Sequence, residues 1–163
     1  MTAAGMAGYR AGDTVVYPPH GPGVVVESPE TDGPPILTIR IANSTLTLSV
    51  PEADAQARGV RPAMSAEESE RLLSSMATGS EALLDTAQLR RRAAAEVERS
   101  GDASRLAATI RDYDARRRSG GKLTPSERTI FETARRMLAS EIALVRSIPV
   151  DDAAALLDRS LAD

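Results

Sequence analysis

The sequence predicts an α+β fold, with a small β-barrel over residues 1–61 and a compact five-helix bundle over residues 62–163. Three observations predict it. Before Pro62 the text is Val, Ile, Thr, Gly and Pro without helical periodicity. After Pro62 apolar residues recur at three- and four-residue spacing, the mark of amphipathic helices. Hydrophobic residues make up 42% of the 163-residue chain but aromatics only 2%, so the core is aliphatic and Ala-rich, as helix-on-helix packing allows.

Four short runs read as strands: residues 14–17, 23–27, 36–41 and 45–50. Between the last two, Ala42-Asn43-Ser44 is a hairpin signal. Thr45, Thr47 and Ser49 alternate with Leu46, Leu48 and Val50, which predicts one wet face and one buried face. Four or five short strands in so short a stretch suggest a strongly bent barrel, with residues 51–58 adding a helical turn or two.

Ser65-Ala66-Glu67-Glu68 is a capping box opening a helix to about Ala77. A second helix is expected from about Glu81 to Arg99, stopped by Ser100-Gly101. Asp102 caps a third, in which Leu106, Ile110 and Tyr113 share a face; Ser119-Gly120-Gly121 ends it. Thr124-Pro125-Ser126-Glu127 is the strongest local signal, with Thr as N-cap, Pro in the first turn and Glu reaching back. That helix carries Ile130, Ala134, Met137, Leu138, Ile142 and Val145 on one face and ends near Pro149. Asp151 is expected to cap a last helix with Ala153, Leu157 and Leu161 inward. Short links between helices make a compact bundle.

The chain has no Cys, which removes disulfides, thiolate metal sites and Cys nucleophiles. With one His, His20, a His-based metal site or a His-containing triad has no material; in its Pro/Gly turn His20 reads as structural. Gly21-Pro22-Gly23 lacks the spacing and the Lys of a phosphate loop. Glu67-Glu68 and Asp151-Asp152 sit at helix starts, where the helix dipole explains them. No enzyme, cofactor or metal is therefore expected. No apolar run is long enough for a bilayer, and the first residues lack a signal-peptide pattern, so the expectation is a cytoplasmic, membrane-free protein.

Net charge is −3, too acidic for a protein that coats DNA by charge alone. The distribution says more: between Thr86 and Arg118 there are nine Arg against five acids, and between Met64 and Asp85 one Arg against five acids. Two triplets stand out, Arg90-Arg91-Arg92 and Arg116-Arg117-Arg118. Three consecutive helical residues fan over about 200–300°, so neither triplet can be wholly buried. They read either as a solvated charged face or as a phosphate-binding patch, in which case two triplets on one side would add their fields.

The stretch Gly12-Asp13-Thr14-Val15-Val16-Tyr17-Pro18-Pro19-His20-Gly21-Pro22-Gly23-Val24-Val25 is similar to the opening of the CarD-type transcription regulators. Their N-terminal module is shared with the RNA-polymerase-interacting domain of transcription-repair coupling factors. Further stretches resemble the family in the same order: Val50-Pro51 and Gly59-Val60-Arg61; Ser100-Gly101-Asp102 through Ile110-Arg111-Asp112-Tyr113; and Leu123-Thr124-Pro125-Ser126-Glu127-Arg128 through Leu138 and Glu141.

The resemblance implies a Tudor-like barrel that binds the RNA polymerase β subunit by pairing a strand edge, with Arg40, Thr47, Leu48 and Ser49 as the contacting residues. It implies a helical domain against the upstream edge of melted promoter DNA, where a Trp wedges into the minor groove and basic neighbours hold phosphates. The corresponding residues are Ala87 and Leu89 at the wedge and Arg90, Arg91, Arg92, Arg116, Arg117 and Arg118 at phosphates. A monomer that modulates open-complex stability is expected. This chain has no Trp, and Ser49 stands where the family often carries Arg. Residues 28–35 are acidic and Pro-rich where the family tends to be basic. The alternative is a divergent paralogue acting as a protein–protein adaptor or competitor without DNA wedging.

Overall fold

The computed structural model describes residues 8–18, 20–27, 32–77 and 87–162. The chain divides between Ala63 and Met64 into two compact units.

The first unit is a five-stranded antiparallel sheet: β1 Thr14–Tyr17, β2 Gly21–Val26, β3 Ile36–Ile41, β4 Thr47–Pro51 and β5 Arg61–Pro62, in the spatial order β4-β3-β2-β1-β5. One face gathers Val15, Val25, Leu37, Ile39, Ile41 and Val50 with Ala55 and Val60 into a core, as the two-residue period requires. Gly23 is needed for the approach of β2 to β3, because a β-carbon there would lie 2.6 Å from the Arg40 carbonyl oxygen. Asn43 takes the left-handed conformation (φ 58°) that the β3–β4 turn demands, and Asn tolerates it better than most residues. The Tyr17 and His20 rings meet edge-to-face at 5.2 Å across the β1–β2 turn.

The strands of the expected small barrel form an α+β protein's sheet that does not close. β4 and β5 are the two ends of the sheet, and no ladder joins them among the described residues. The chemistry of the ends explains this: β5 is two residues long and includes Pro62, and β4 ends in Pro51, so both lack a donor where a closing ladder would need one. The wet–buried alternation before β4 also shifts. Leu46, expected inside, is 40% exposed, because its N–H is taken by the Ser44 hydroxyl (3.1 Å) and the turn runs two residues further than the pattern suggested. Residues 52–54 form a single 3-10 turn.

The second unit contains five helices among the described residues: α1 Ala66–Ser75, α2 Ala87–Ser100, α3 Ala103–Arg118, α4 Pro125–Arg146 and α5 Val150–Ala162. The expected start of the second helix, near Glu81, lies outside the described residues. α4 packs against each of the other four helices. Its Ala134, Leu138, Ala139, Ile142 and Ala143 are buried, and they meet Leu106, Ile110 and Tyr113 of α3 and Ala153 and Leu157 of α5 in one core. Ile130, Met137 and Val145 lie at its half-buried margin.

The helix ends follow local chemistry. Ser65 with Glu68 and Thr124 with Glu127 both form complete capping boxes, and the Asp102 carboxylate accepts from the Arg105 N–H. α3 ends in a Schellman turn. The Gly121 N–H reaches the Arg116 carbonyl (2.9 Å) and the Gly120 N–H the Arg117 carbonyl (3.3 Å), with Gly120 at φ 88°. α4 ends in the same motif, but with Ser147 in the left-handed position (φ 54°). α5 starts one residue before the expected Asp151 cap. Asp151 and Asp152 instead occupy its first turn, where they favour the positive helix end. Two polar clasps hold α1 to α4: the buried Glu141 carboxylate accepts from the Met64 N–H (2.9 Å), and Arg146 Nε donates to the buried Ser69 hydroxyl (3.0 Å). No helix among the described residues is long and apolar enough to cross a membrane.

Candidate functional site

In the sheet unit the candidate surface is the β4 edge. The β3–β4 register pairs Arg40 with Thr47, Ile39 with Leu48, Thr38 with Ser49 and Ile36 with Pro51. Two hydrogen bonds fix the phase of this ladder: Ile41 N–H to the Leu46 carbonyl and Glu52 N–H to the Pro35 carbonyl, both 3.0 Å. Bonded and non-bonded pairs alternate in an antiparallel ladder, so the backbone groups of Leu48 and Val50 point at β3. Those of Thr47 and Ser49 point the other way, to the side where no strand lies among the described residues. Pro51 also falls on that outward side, where its missing N–H costs the sheet nothing.

Of the four residues expected to meet the polymerase, Arg40, Thr47 and Ser49 are exposed on one face of this edge. The Ser49 hydroxyl lies 3.5 Å from that of Thr38. Leu48 is half-buried on the opposite face, packed against the core.

In the helical unit the two Arg triplets divide by burial. Arg90 is 7% exposed, and its Nε meets a Glu127 carboxylate oxygen at 2.6 Å, with Glu127 fully buried. The structure thus places Arg90, expected at phosphates, as an interior partner of α4. Arg91 is exposed, with a guanidinium nitrogen 3.5 Å from the Ser126 hydroxyl. Arg92 is exposed. Ala87 opens α2, but its side chain and that of Leu89 lie outside the described residues, so the wedge position stays as the sequence left it.

Arg116 is half-buried, and its charge acts on Glu127. Arg117 and Arg118 both reach the buried Asp114, one to each carboxylate oxygen at 2.7 Å, and Arg117 also lies over the Phe131 ring, 5.2 Å from its centroid. These two are expected phosphate ligands that the structure ties to a carboxylate, although each stays half or more exposed.

Members of both triplets therefore converge on the first turn of α4: Arg90 and Arg116 at Glu127, and Arg91 at Ser126. Burial pushes the Glu127 carboxyl up. The Thr124 N–H, the Arg90 hydrogen bond and the charges of Arg90 and Arg116 outweigh it and hold the carboxyl below its ordinary value. Because Glu127 is buried, its charge does not face solvent. The exposed charges around this turn are those of Arg91 and, flanking it in sequence, Lys122 and Arg128. None of the three has a carboxylate partner among the described residues.

A second surface feature is a cleft of about 310 Å³ lined by Asp114, Arg117, Arg118, Phe131, Arg135 and Asp158, among others. Asp114 and Asp158 already partner its guanidiniums, the latter through two hydrogen bonds from Arg135 at 2.8 and 2.5 Å. The buried acids Glu127 and Asp114 were missed as partners of arginine. Glu127 reads in sequence as a capping residue, and nothing local marks the arginine 37 positions earlier that it also holds. The Asp114–Arg118 spacing of four on one helix was the available signal for the other pair.

An antiparallel sheet whose β4 edge is unpaired among the described residues, followed by a bundle of helices, defines an α+β protein. Residues 71–158, more than half of the chain, match the family model for the CarD C-terminal domain. The chain belongs to the CarD family, which gives it a transcription-related role.

Proposed function

We propose that the protein is a cytoplasmic transcription regulator that works by binding alone. The β4 edge adds to a strand of the RNA polymerase β subunit, and the helical unit holds the phosphate backbone of upstream promoter DNA, modulating open-complex stability. The observation that carries this reading is the open β4 edge, with the N–H and C=O of Thr47 and Ser49 turned outward. Strand addition takes its affinity from such main-chain groups and asks little of side chains, so the absence of an Arg at Ser49 does not abolish it. On the DNA side, Arg91, Arg92, Lys122 and Arg128 are exposed cations suited to phosphates, which position a protein without reading sequence.

The second reading, an adaptor or competitor that does not touch DNA, is favoured by the carboxylate partners of Arg90, Arg117 and Arg118 and by the absence of Trp. One pair of measurements separates the two. The chain is run on gel filtration with a purified polymerase β-lobe fragment, and its promoter affinity is titrated against salt. Polymerase bridging predicts co-elution. It also predicts that Arg91→Ala with Arg92→Ala lowers the slope of log K against log salt by about 0.9 per lost phosphate contact. Co-elution with a salt-independent, mutation-independent DNA signal supports the adaptor. Failure to co-elute removes the polymerase reading.

A further inference from the structure

We infer that the β4 edge is self-complementary and that two copies of this chain pair through it, antiparallel about a two-fold axis at Leu48. The dimer would cover the edge assigned above to the polymerase, so the two occupants would exclude each other. That last clause rests on the proposed function; the dimer does not.

Three features of the strand fit a second copy. The outward backbone groups belong to Thr47 and Ser49, two residues apart. A copy turned about Leu48 sets Thr47 opposite the partner's Ser49, and Ser49 opposite the partner's Thr47. Both pairs can exchange two N–H···O bonds, four in all, without breaking a bond to β3. The ladder ends there because the next outward residue, Pro51, has no N–H.

The apolar face matches as well. Leu48 is half-buried on the same side of the strand as buried Val50, and Leu46, just before the strand, is 40% exposed. In this register Leu46 lies against the partner's Val50, and the two Leu48 side chains meet at the axis. They form the close, non-hydrogen-bonded kind of pair, and the exposed leucine gains a cover. On the polar face the Thr38–Ser49 hydroxyl pair continues into the partner's Thr47.

Charge does not oppose the contact. Thr47 to Pro51 carries none. The nearest like charges are the two Arg40 side chains, whose strands lie three spacings apart, about 14 Å. That exceeds the Debye length of about 8 Å at physiological salt. An edge strand that lacks charge and is blunted only by one proline at its end has little to prevent self-pairing.

The full chain has no Cys, so a single introduced thiol reports the geometry cleanly. At the axis the two Cα atoms would be about 4.5 Å apart, within disulfide range. Leu48→Cys should therefore give a covalent dimer under mild oxidation, and Thr38→Cys, one strand in from the edge, should not. Sedimentation of the unmodified chain should show mass rising from one chain to two with concentration. Ser49→Pro, which removes one outward donor from each copy, should move that midpoint at least about 10-fold higher. Should Ser49→Pro lose the fold by circular dichroism, Thr47→Lys makes the same test by charge.

A mass of one chain at every concentration, or Thr38→Cys crosslinking as fast as Leu48→Cys, overturns the proposal. Adding the β-lobe fragment separates the two claims. If the lobe binds but leaves Leu48→Cys crosslinking undiminished, the dimer stands and the polymerase site lies elsewhere than β4. If the lobe binds a chain that never dimerises, the dimer falls and the polymerase reading stands.

Discussion

Arg90 and Arg91 are neighbours of the same chemistry, and the structure predicts opposite consequences for their loss. Arg90→Ala removes one partner of a buried pair and leaves the fully buried Glu127 carboxylate without its closest cation. Breaking a buried pair from one side costs about 3–5 kcal/mol. Here the lower end applies, because Glu127 keeps the Thr124 N–H at 2.9 Å and the nearby charge of Arg116. For a helical unit of about a hundred residues, about 3 kcal/mol corresponds to a fall in Tm of about 12–25 °C. Arg91→Ala removes an exposed side chain and should stay within about 0.5 kcal/mol. Thermal and urea melts followed by helical ellipticity at 222 nm isolate the helical unit from the sheet, as a two-unit chain requires. Promoter affinity is measured in parallel. Arg90→Ala should lose stability, and Arg91→Ala should lose DNA affinity at unchanged stability. An Arg90→Ala protein that melts within a degree or two of the unmodified chain but binds DNA poorly would refute the burial argument and return Arg90 to the phosphate surface.

Three further outcomes follow from the same geometry. The Glu127 carboxyl is held below the ordinary value of 4.5, so its contribution is complete above that pH and is lost as pH falls through the lower folded value. The urea midpoint of the helical unit should drop in that acid window, and Glu127→Gln should flatten the dependence. Ser147→Gly should stabilise the end of α4 by about 1 kcal/mol, read as a rise in Tm, because the left-handed position there penalises a side chain. Gly23→Ala sets a β-carbon 2.6 Å from the Arg40 carbonyl and 2.8 Å from an Ile39 methyl, and should cost about 2 kcal/mol or more of sheet stability by scanning calorimetry.

Much of the architecture was legible because it is written locally. Thr124-Pro125-Ser126-Glu127 and Ser65 with Glu68 announce helix starts through side-chain hydrogen bonds that span three residues, and both form as read. The strands at 14–17 and 36–41 appear at those bounds, the second because its alternation is uninterrupted and the first because Thr14-Val15-Val16-Tyr17 is a β-branched and aromatic run that Pro18 stops. What was not legible depends on partners far away in the chain. Whether a sheet closes depends on its first and last strands, and periodicity does not report that β5 stops after two residues. The Arg90 triplet looked uniform in sequence. Only the docking of α2 on α4 turns Arg90 inward and leaves Arg91 and Arg92 in solvent. The outward phase of Thr47 and Ser49 likewise follows from the hydrogen-bond parity of the hairpin, which a difference of one residue in the turn would have reversed.

The two clasps on α1 bear on the order in which the chain is made. Met64 waits for Glu141 and Ser69 for Arg146, each 77 residues downstream. The sheet's consecutive hairpins, by contrast, find their partners almost as soon as they are synthesised. At about 5–20 residues per second, α1 stands on the ribosome for about 4–15 s with Leu73 and Met76 uncovered. Nascent-chain quality control would meet this protein during that interval, with its sheet finished and its helices still sticky.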